Sequence, residues 1–208
     1  MSEEIRRRFD ERMHARERAL PASRRAIRSC ANAIRALHRG ELDLAHRLMD
    51  EARGAIDDGL DAVRDHPEIR YAGYLQDAQK EYAEARLTEV LVGRSSKIPT
   101  PQALDVEDAP YLNGIAEAIG EGRRHVLDLL RGRRVDEGEQ VLAAMDDLYA
   151  VLVTMDYPDA ITGNLRRSTD VARSLIEKTR GDLLVARVSQ DLHDALDRHA
   201  HDVLGKET

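Results

Sequence analysis

The stretch "YLNGIAEAIGEGRRHVLDLL", residues 111–130, decides the fold class of this 208-residue chain. Its apolar side chains recur every three to four residues, as they do along the buried face of an α-helix. Three glycines interrupt the pattern, at Gly114, Gly120 and Gly122, although each glycine inside a helix costs about 1 kcal/mol relative to alanine. We therefore predict a helix over residues 109–131 that packs tightly against a neighbour or leaves room for a ligand.

The rest of the chain repeats this helical period. Alanine and leucine, both strong helix formers, are abundant, and aromatic residues make up only 3% of the sequence. Six further helices are predicted, over about 3–38, 41–64, 67–92, 137–154, 164–180 and 182–203. A long loop, residues 93–110, holds three of the six prolines. We predict an all-α protein: one domain over residues 1–208, folded as an antiparallel bundle of about seven helices.

Prolines, glycines and one acidic residue mark the expected helix ends. Pro21 is expected to kink the first helix or to start a new one, and Gly40 is expected to end it. Pro67 suits the first turn of the third helix. Asp136 is predicted to cap the fifth helix, and a boundary near Gly181 is predicted to divide the last two.

Composition limits the class of protein and its compartment. The net charge of −7 argues against a generally basic protein that coats nucleic acid. Cys30 is the only cysteine, so an internal disulfide is impossible, and we expect a buried thiol and a reducing compartment. We see neither an apolar signal peptide nor a run of about 18 apolar residues, and we expect a cytoplasmic protein without a membrane span.

Two pairs of glutamates stand out from the many charged residues. In "KEYAEA", residues 80–85, Glu81 and Glu84 lie on neighbouring turns of a helix, so both reach one ion. That pair alone is a weak signal, because charged residues make up 34% of the chain. Glu117 and Glu121 lie four residues apart among glycine, alanine and isoleucine, unlike an ordinary solvated face. Incidental acidic residues would instead leave the second pair pointing to solvent, away from the first.

Carboxylates on two helices joined by one loop can face each other. Hard oxygen ligands without nearby cysteine or paired histidine favour Mg²⁺ or Mn²⁺. Such sites commonly act on phosphate esters, where the metal activates water. Arg123 and Arg124 follow directly and are candidates to contact a nucleic-acid backbone.

Other polar residues are interpreted as structural. His125 is predicted to be a surface histidine rather than a partner of Glu121. Asp146 and Asp147 are expected to link helices or to pair with arginine. Three histidines near the C-terminus are expected to be solvated: His193, His199 and His201. No phosphate-binding loop, nucleophile elbow or zinc signature is present in the sequence.

The segments "EYAEA" and "PYLNGIAEAIGEGRR" resemble the translin family, and within it the translin-associated factor X (TRAX) branch and its archaeal relatives. The second segment is similar to the family pattern D-Y-L-x-G-x-x-D-x-x-G-E-x-x-R. The resemblance covers roughly residues 15–200, with weaker support from "EQVLAAMDDLY" and "NLRRSTDVARSLIEKTRGDL". It departs from the pattern at Pro110 and at Glu117, where the family usually has aspartate, and Arg124 matches its basic residue.

The resemblance implies an all-α fold that assembles into a closed shell, typically an octamer, from this chain alone or with a translin-like paralogue. It implies an Mg²⁺-dependent endoribonuclease that cleaves single-stranded or nicked RNA. The residues matching the family's catalytic and metal-binding carboxylates are Glu81, Glu84, Glu117 and Glu121. At position 117 the extra methylene shifts the carboxylate oxygens and therefore the geometry around the metal.

Two alternative functions remain open at this point. The first is a non-catalytic protein that binds single-stranded RNA or DNA, as in the translin branch. The second is an all-α nucleotide pyrophosphohydrolase, a class that also uses E-x-x-E with a second acidic pair on another helix. The longer separation of the two pairs here makes this second alternative the weaker one.

Overall fold

The predicted all-α fold is confirmed. The computed structural model describes residues 1–93 and 97–204, and within them the chain forms six long helices, three single turns of helix and no strand. In chain order these are α1 (Ser2–Arg39), α2 (Leu42–Ala62), α3 (Pro67–Arg70), α4 (Tyr74–Leu91), α5 (Pro101–Leu104), α6 (Asp108–Arg131), α7 (Val135–Val153), α8 (Asp159–Thr162) and α9 (Leu165–Leu204). Among these, no helix has the length and apolar character needed to cross a membrane.

Helix α6 lies at the centre of the packing, in contact with α4, α7 and α9, while α1 packs against α2 and α4. The long helices share a large apolar core, whose fully buried side chains include Leu37, Leu87, Ile115, Ile119 and Met145, and a smaller second cluster lies nearby. Each such side chain contributes roughly 1.5–3 kcal/mol by leaving water. The carboxylates on α4 and α6 are therefore carried by the two helices that the core fixes against each other.

The predicted single helix over 67–92 is wrong, because the chain breaks between α3 and α4. Gly73 has φ 98°, a conformation that only glycine adopts readily, and it cannot continue a helix. Its amide donates a hydrogen bond to the side chain of Gln76 and so starts α4. Farther along, α5 forms one turn inside the predicted loop, capped by the Thr100 hydroxyl, which accepts from the Ala103 amide. Residues 94–96 of that loop lie outside the described part of the chain.

The predicted division near Gly181 is also wrong, since α9 continues through it. No atom lies within 4 Å of the place where a β-carbon would stand on Gly181, so its cost is the small intrinsic penalty alone. Pro21 lies inside α1, which continues through it, so Pro21 does not start a new helix. Gly40 ends α1 at φ 75°, as predicted. Asp136 lies in the first turn of α7 and does not cap it, because the cap position is Arg134.

Helix α6 approaches α4 closely at Gly114. A β-carbon there would lie 2.8 Å from the Ala83 β-carbon and 2.9 Å from the Lys80 carbonyl oxygen. Distances this short are not tolerated, so only glycine lets the two backbones meet at this point. Glu117 lies one turn beyond Gly114 and Glu84 one residue beyond Ala83, and the close approach therefore sets the separation of the two acidic segments.

Replacing Gly114 by alanine is expected to lower the free energy of unfolding by about 1–3 kcal/mol, because neither the Ala83 β-carbon nor the α4 backbone can move aside. The matched control is Gly54→Ala in α2, where no atom lies within 4 Å of the new methyl group. That change is expected to stabilise the protein by about 0.5–1 kcal/mol through helix propensity alone. Urea denaturation measures both, and equal effects at the two positions would contradict the close approach.

Candidate metal centre

Three of the four predicted carboxylates lie together. One carboxylate oxygen from each of Glu81, Glu84 and Glu117 lies within 4.8 Å of the other two. Glu81 and Glu84 project from one side of α4 because they are three residues apart. Glu117 reaches them from α6, and its side chain is the most exposed of the three, at 41%. Three convergent oxygens from two helices are a suitable start for binding a divalent cation.

A lysine that was not predicted lies beside this acidic cluster. The Lys80 ammonium nitrogen is 2.6 Å from Glu117 Oε1 and 3.4 Å from Glu81 Oε1. Burial favours the neutral amine, but the hydrogen bond and the charges of these two glutamates raise the pKa of Lys80 overall. Lys80 therefore stays charged and partly neutralises the cluster.

Glu84 is the buried member of the cluster, with only 9% of its surface exposed. Burial, followed by the negative charges of Glu117, Glu81 and Glu121, raises the pKa of Glu84 to about 8. Burial also raises the pKa of Glu81. Lys80 offsets these effects only in part, so the protonated form of Glu84 is favoured near neutral pH in the absence of a cation. A site of this kind is electrostatically prepared for a cation.

Glu121 is held separately from the other three. Its Oε2 lies 2.6 Å from His38 Nε2 and 3.6 Å from the Arg124 guanidinium. The hydrogen bond from His38 is the main reason that the pKa of Glu121 is lowered, although burial opposes it. Glu121 nevertheless contributes to the raised pKa of Glu84 and so lies at the edge of the cluster.

His38 brings α1 into the site. Its side chain is 6% exposed, and its Nδ1 is buried without a hydrogen-bond partner among the described residues. The ring centroid of His125 lies 6.3 Å away, with the two rings tilted by 46°. His125 is half-buried rather than fully exposed, and the Glu121 carboxylate is contacted by His38 and Arg124. No local pattern marked His38, which lies 83 residues from Glu121 in sequence.

The two arginines predicted to contact nucleic acid differ in their surroundings. Arg123 donates to the Thr179 hydroxyl at 3.1 Å and lies 2.9 Å from the Asp182 carboxylate, and it thereby ties α6 to α9. Arg124 is 55% exposed and lies beside Glu121. Of these two arginines, Arg124 is the one that presents its guanidinium to solvent next to the acidic cluster.

Asp146, Cys30 and the three C-terminal histidines lie in the kinds of position that were predicted for them. Asp146 on α7 accepts two hydrogen bonds from Arg180 on α9, which confirms a role in linking helices. Cys30 is fully buried, as predicted, and burial followed by the charges of Glu81 and Glu84 raises the pKa of its thiol. The three C-terminal histidines are exposed, as predicted.

Comparison with known proteins places this arrangement in context. No protein-family profile matches the sequence. An uncharacterised protein of Methanocaldococcus jannaschii is 34% identical over 185 residues, which cover 88% of this chain and 81% of that protein. A structure of AfC3PO in complex with duplex RNA is 31% identical, with a TM-score of 0.80 over 90% of this chain and 96% of that one.

Two further solved structures share the fold. The crystal structure of AfC3PO has a TM-score of 0.79 at 31% identity, over 90% of this chain and 97% of that one. The crystal structure of apo-NeC3PO also has a TM-score of 0.79, at 17% identity over 88% and 96% of the two chains, which shows the fold alone. Likeness in sequence and fold over nearly the whole AfC3PO chain, joined to the glutamate motifs on α4 and α6, shows that this chain belongs to the translin/TRAX family of the C3PO proteins.

Proposed function

We propose that the protein is a metal-dependent endoribonuclease that cleaves single-stranded or nicked RNA. The observation that carries the proposal is the meeting of Glu81, Glu84 and Glu117 within 4.8 Å on two helices. A relative in the same family has been solved in complex with duplex RNA, which supports RNA as the substrate class. We infer that the chain is closer to the TRAX branch, because translin generally lacks the full acidic set.

The residues present fit Mg²⁺ or Mn²⁺. Their ligand atoms are hard carboxylate oxygens, and burial together with neighbouring negative charges raises the pKa of Glu84, a setting that favours a bound cation. Glu81, Glu84 and Glu117 would hold the ion, with Glu121 oriented beside them by His38. A divalent cation bound there supplies an activated water and stabilises charge that develops on the phosphate.

The protein's own groups prepare the site for this chemistry. Glu84 must release its proton before it binds a cation, so cation binding is coupled to proton release below about pH 8. Lys80 holds Glu117 and Glu81 in place by its two short contacts. Arg124 and Arg123 are the proposed contacts to the RNA backbone. Arg124 is expected to contribute more, because Arg123 is engaged with Thr179 and Asp182.

Cleavage of labelled RNA with and without a divalent cation tests the proposal. We expect cleavage of a single-stranded RNA with Mg²⁺, its loss on chelation, and its return when Mg²⁺ or Mn²⁺ is added back. Binding without cleavage under every metal condition would contradict the proposal and favour a translin-like binding protein. Release of pyrophosphate from nucleoside triphosphates, without RNA cleavage, would favour a pyrophosphohydrolase.

We further propose that copies of this chain, alone or with a translin-like paralogue, form a closed shell, expected to be an octamer. Support comes from α9, whose side chains over residues 191–201 are all exposed and which projects beyond the bundle. An isolated projecting helix is marginal in water, so a partner is expected to cover it. Its exposed apolar side chains include Leu184, Val185, Val188, Leu192 and Leu196. A solution mass equal to one chain, 23.4 kDa, would contradict this assembly.

A further inference from the structure

A cleft of about 730 Å³ opens directly beside the acidic cluster, where α4, α6 and α9 begin. Glu117 of the acidic cluster lines this cleft, and so does Lys80 beside it, so the cleft adjoins the cluster directly. The volume is within the range of pockets that hold small organic ligands. A chain bound across the acidic cluster would therefore extend into this cleft.

One part of the cleft wall is an aromatic ring that is exposed to solvent. Tyr71, between α3 and α4, is 65% exposed, and its hydroxyl has no hydrogen-bond partner among the described residues. The Arg70 guanidinium carbon lies 5.7 Å from the ring centroid. Exposed rings in polar clefts are the surfaces on which unstacked nucleic-acid bases lie. Asp77 lines the same cleft and offers an acceptor for an N–H group of a base.

Another part of the wall is a cation without a partner. Arg167, in the first turn of α9, is exposed and makes no hydrogen bond or ion pair within residues 1–93 and 97–204. The adjacent Arg166 differs, because it contacts Asp156 and does not line the cleft. A free guanidinium suits a phosphate group, which it binds through two parallel hydrogen bonds.

Hydrogen bonds between helices hold this wall in place. The side-chain nitrogen Nδ2 of Asn113 on α6 donates to the Thr162 carbonyl oxygen at 2.8 Å, and the Ser168 hydroxyl on α9 donates to the side-chain oxygen Oδ1 of Asn113 at 2.9 Å. The start of α9 is thereby fixed to α6, the helix that carries Glu117. Arg167 and the acidic cluster keep a constant separation as a result.

We propose that this cleft binds one unpaired nucleotide of the RNA, next to the phosphate held at the acidic cluster. The base lies against Tyr71 and the phosphate contacts Arg167. The nucleotide is unpaired because a base inside a duplex is already stacked on both faces and cannot also lie on the tyrosine ring. The proposal rests on the proposed function and gives its preference for single-stranded RNA a physical cause.

Binding measured without metal separates this site from cleavage. With a fluorescein-labelled oligouridylate in chelator, fluorescence anisotropy is expected to show a Kd raised about 10-fold by Tyr71→Ala, since one stacked base is lost. Arg167→Gln is expected to raise Kd about 5-fold and to make its salt dependence shallower by about 0.7 in the log–log slope, as the loss of one phosphate contact requires. Tyr71→Phe keeps the ring and is expected to bind as the wild type does.

Two matched controls exclude a general effect of these changes. Arg166→Gln removes an exposed arginine from the same turn of α9, and Tyr157→Ala removes an exposed tyrosine that lines a different cavity. Both are expected to leave the Kd unchanged. Affinity for a duplex RNA of equal length is expected to stay constant in Tyr71→Ala.

Each outcome decides the proposal on its own. Unchanged oligouridylate binding in Tyr71→Ala and Arg167→Gln would overturn it, even if cleavage requires Mg²⁺. If Tyr71→Ala lost equal affinity for oligouridylate and for duplex RNA, the proposal that the bound nucleotide is unpaired would be overturned. Weakened oligouridylate binding in a protein that fails to cleave RNA would support the cleft while rejecting the endoribonuclease.

Discussion

Replacing Glu84 by glutamine is expected to reduce Mg²⁺-dependent RNA cleavage by more than about 100-fold, because removing even a group that only orients a metal ligand costs roughly 10–100-fold in metal affinity or activity. Glu84 belongs to the acidic cluster and is its buried member. Glutamine keeps the size of the side chain but removes its charge, so the helices are expected to pack as before. Initial rates on a labelled single-stranded RNA measure the loss, and circular dichroism checks the fold.

Glu89 provides the matched control on the same helix. It is 7% exposed, close to Glu84 in burial, but its carboxylate is 2.7 Å from His46 Nε2 on α2 and outside the acidic cluster. Glu89→Gln is expected to cleave RNA at close to the wild-type rate. Equal losses in both variants would show that any change in a buried α4 glutamate disturbs the fold, and full activity in Glu84→Gln would remove Glu84 from the proposed site.

Helix content could be predicted from sequence, whereas some helix ends could not. Apolar side chains at helical spacing follow directly from burial of one face, which is why α1, α2, α6 and α7 are found close to the predicted bounds. Gly73 and Gly181 look alike in sequence, yet the first lies in the break just before α4 and the second lies within α9. The difference is the backbone angle of 98° at Gly73, which depends on how α3 turns back onto the bundle.

The carboxylates could be predicted from local sequence spacing, whereas the residues that contact them could not. Spacing along α4 and α6 marked the glutamates, because carboxylates three or four residues apart share a helix face. His38 was missed since its contact with Glu121 forms between helices that are remote in sequence. Lys80 was missed although it precedes Glu81 directly, because a lysine beside glutamates is common on any solvated helix. Such contacts depend on how α1, α4 and α6 cross, and Gly114 permits the close crossing of α4 and α6.

The second large effect concerns stability in the absence of metal. Between pH 6 and pH 8, the wild-type protein in chelator is expected to lose about 2 kcal/mol of unfolding free energy relative to Glu84→Gln, given a limit of about 1.4 kcal/mol per pH unit for one proton. The folded protein keeps the Glu84 proton up to about pH 8, whereas the unfolded chain releases it near 4.5. The folded state thus binds more protons within this window, so its stability falls as pH rises. Urea denaturation at both pH values measures the difference.

Glutamine at position 84 cannot ionise, and titrating groups remote from the acidic cluster cancel when the two proteins are compared at equal concentration. Mg²⁺ or Mn²⁺ added at pH 8 is expected to restore the stability of the wild type, because the cation replaces the proton on Glu84, and to restore little in Glu84→Gln. If the difference in unfolding free energy between the two proteins stayed constant from pH 6 to pH 8, Glu84 would already be ionised without metal. Burial beside Glu81, Glu117 and Glu121 would then not create the need for positive charge on which cation binding depends. The residue expected to matter most for cleavage is, for this reason, also the one whose removal is expected to stabilise the metal-free fold.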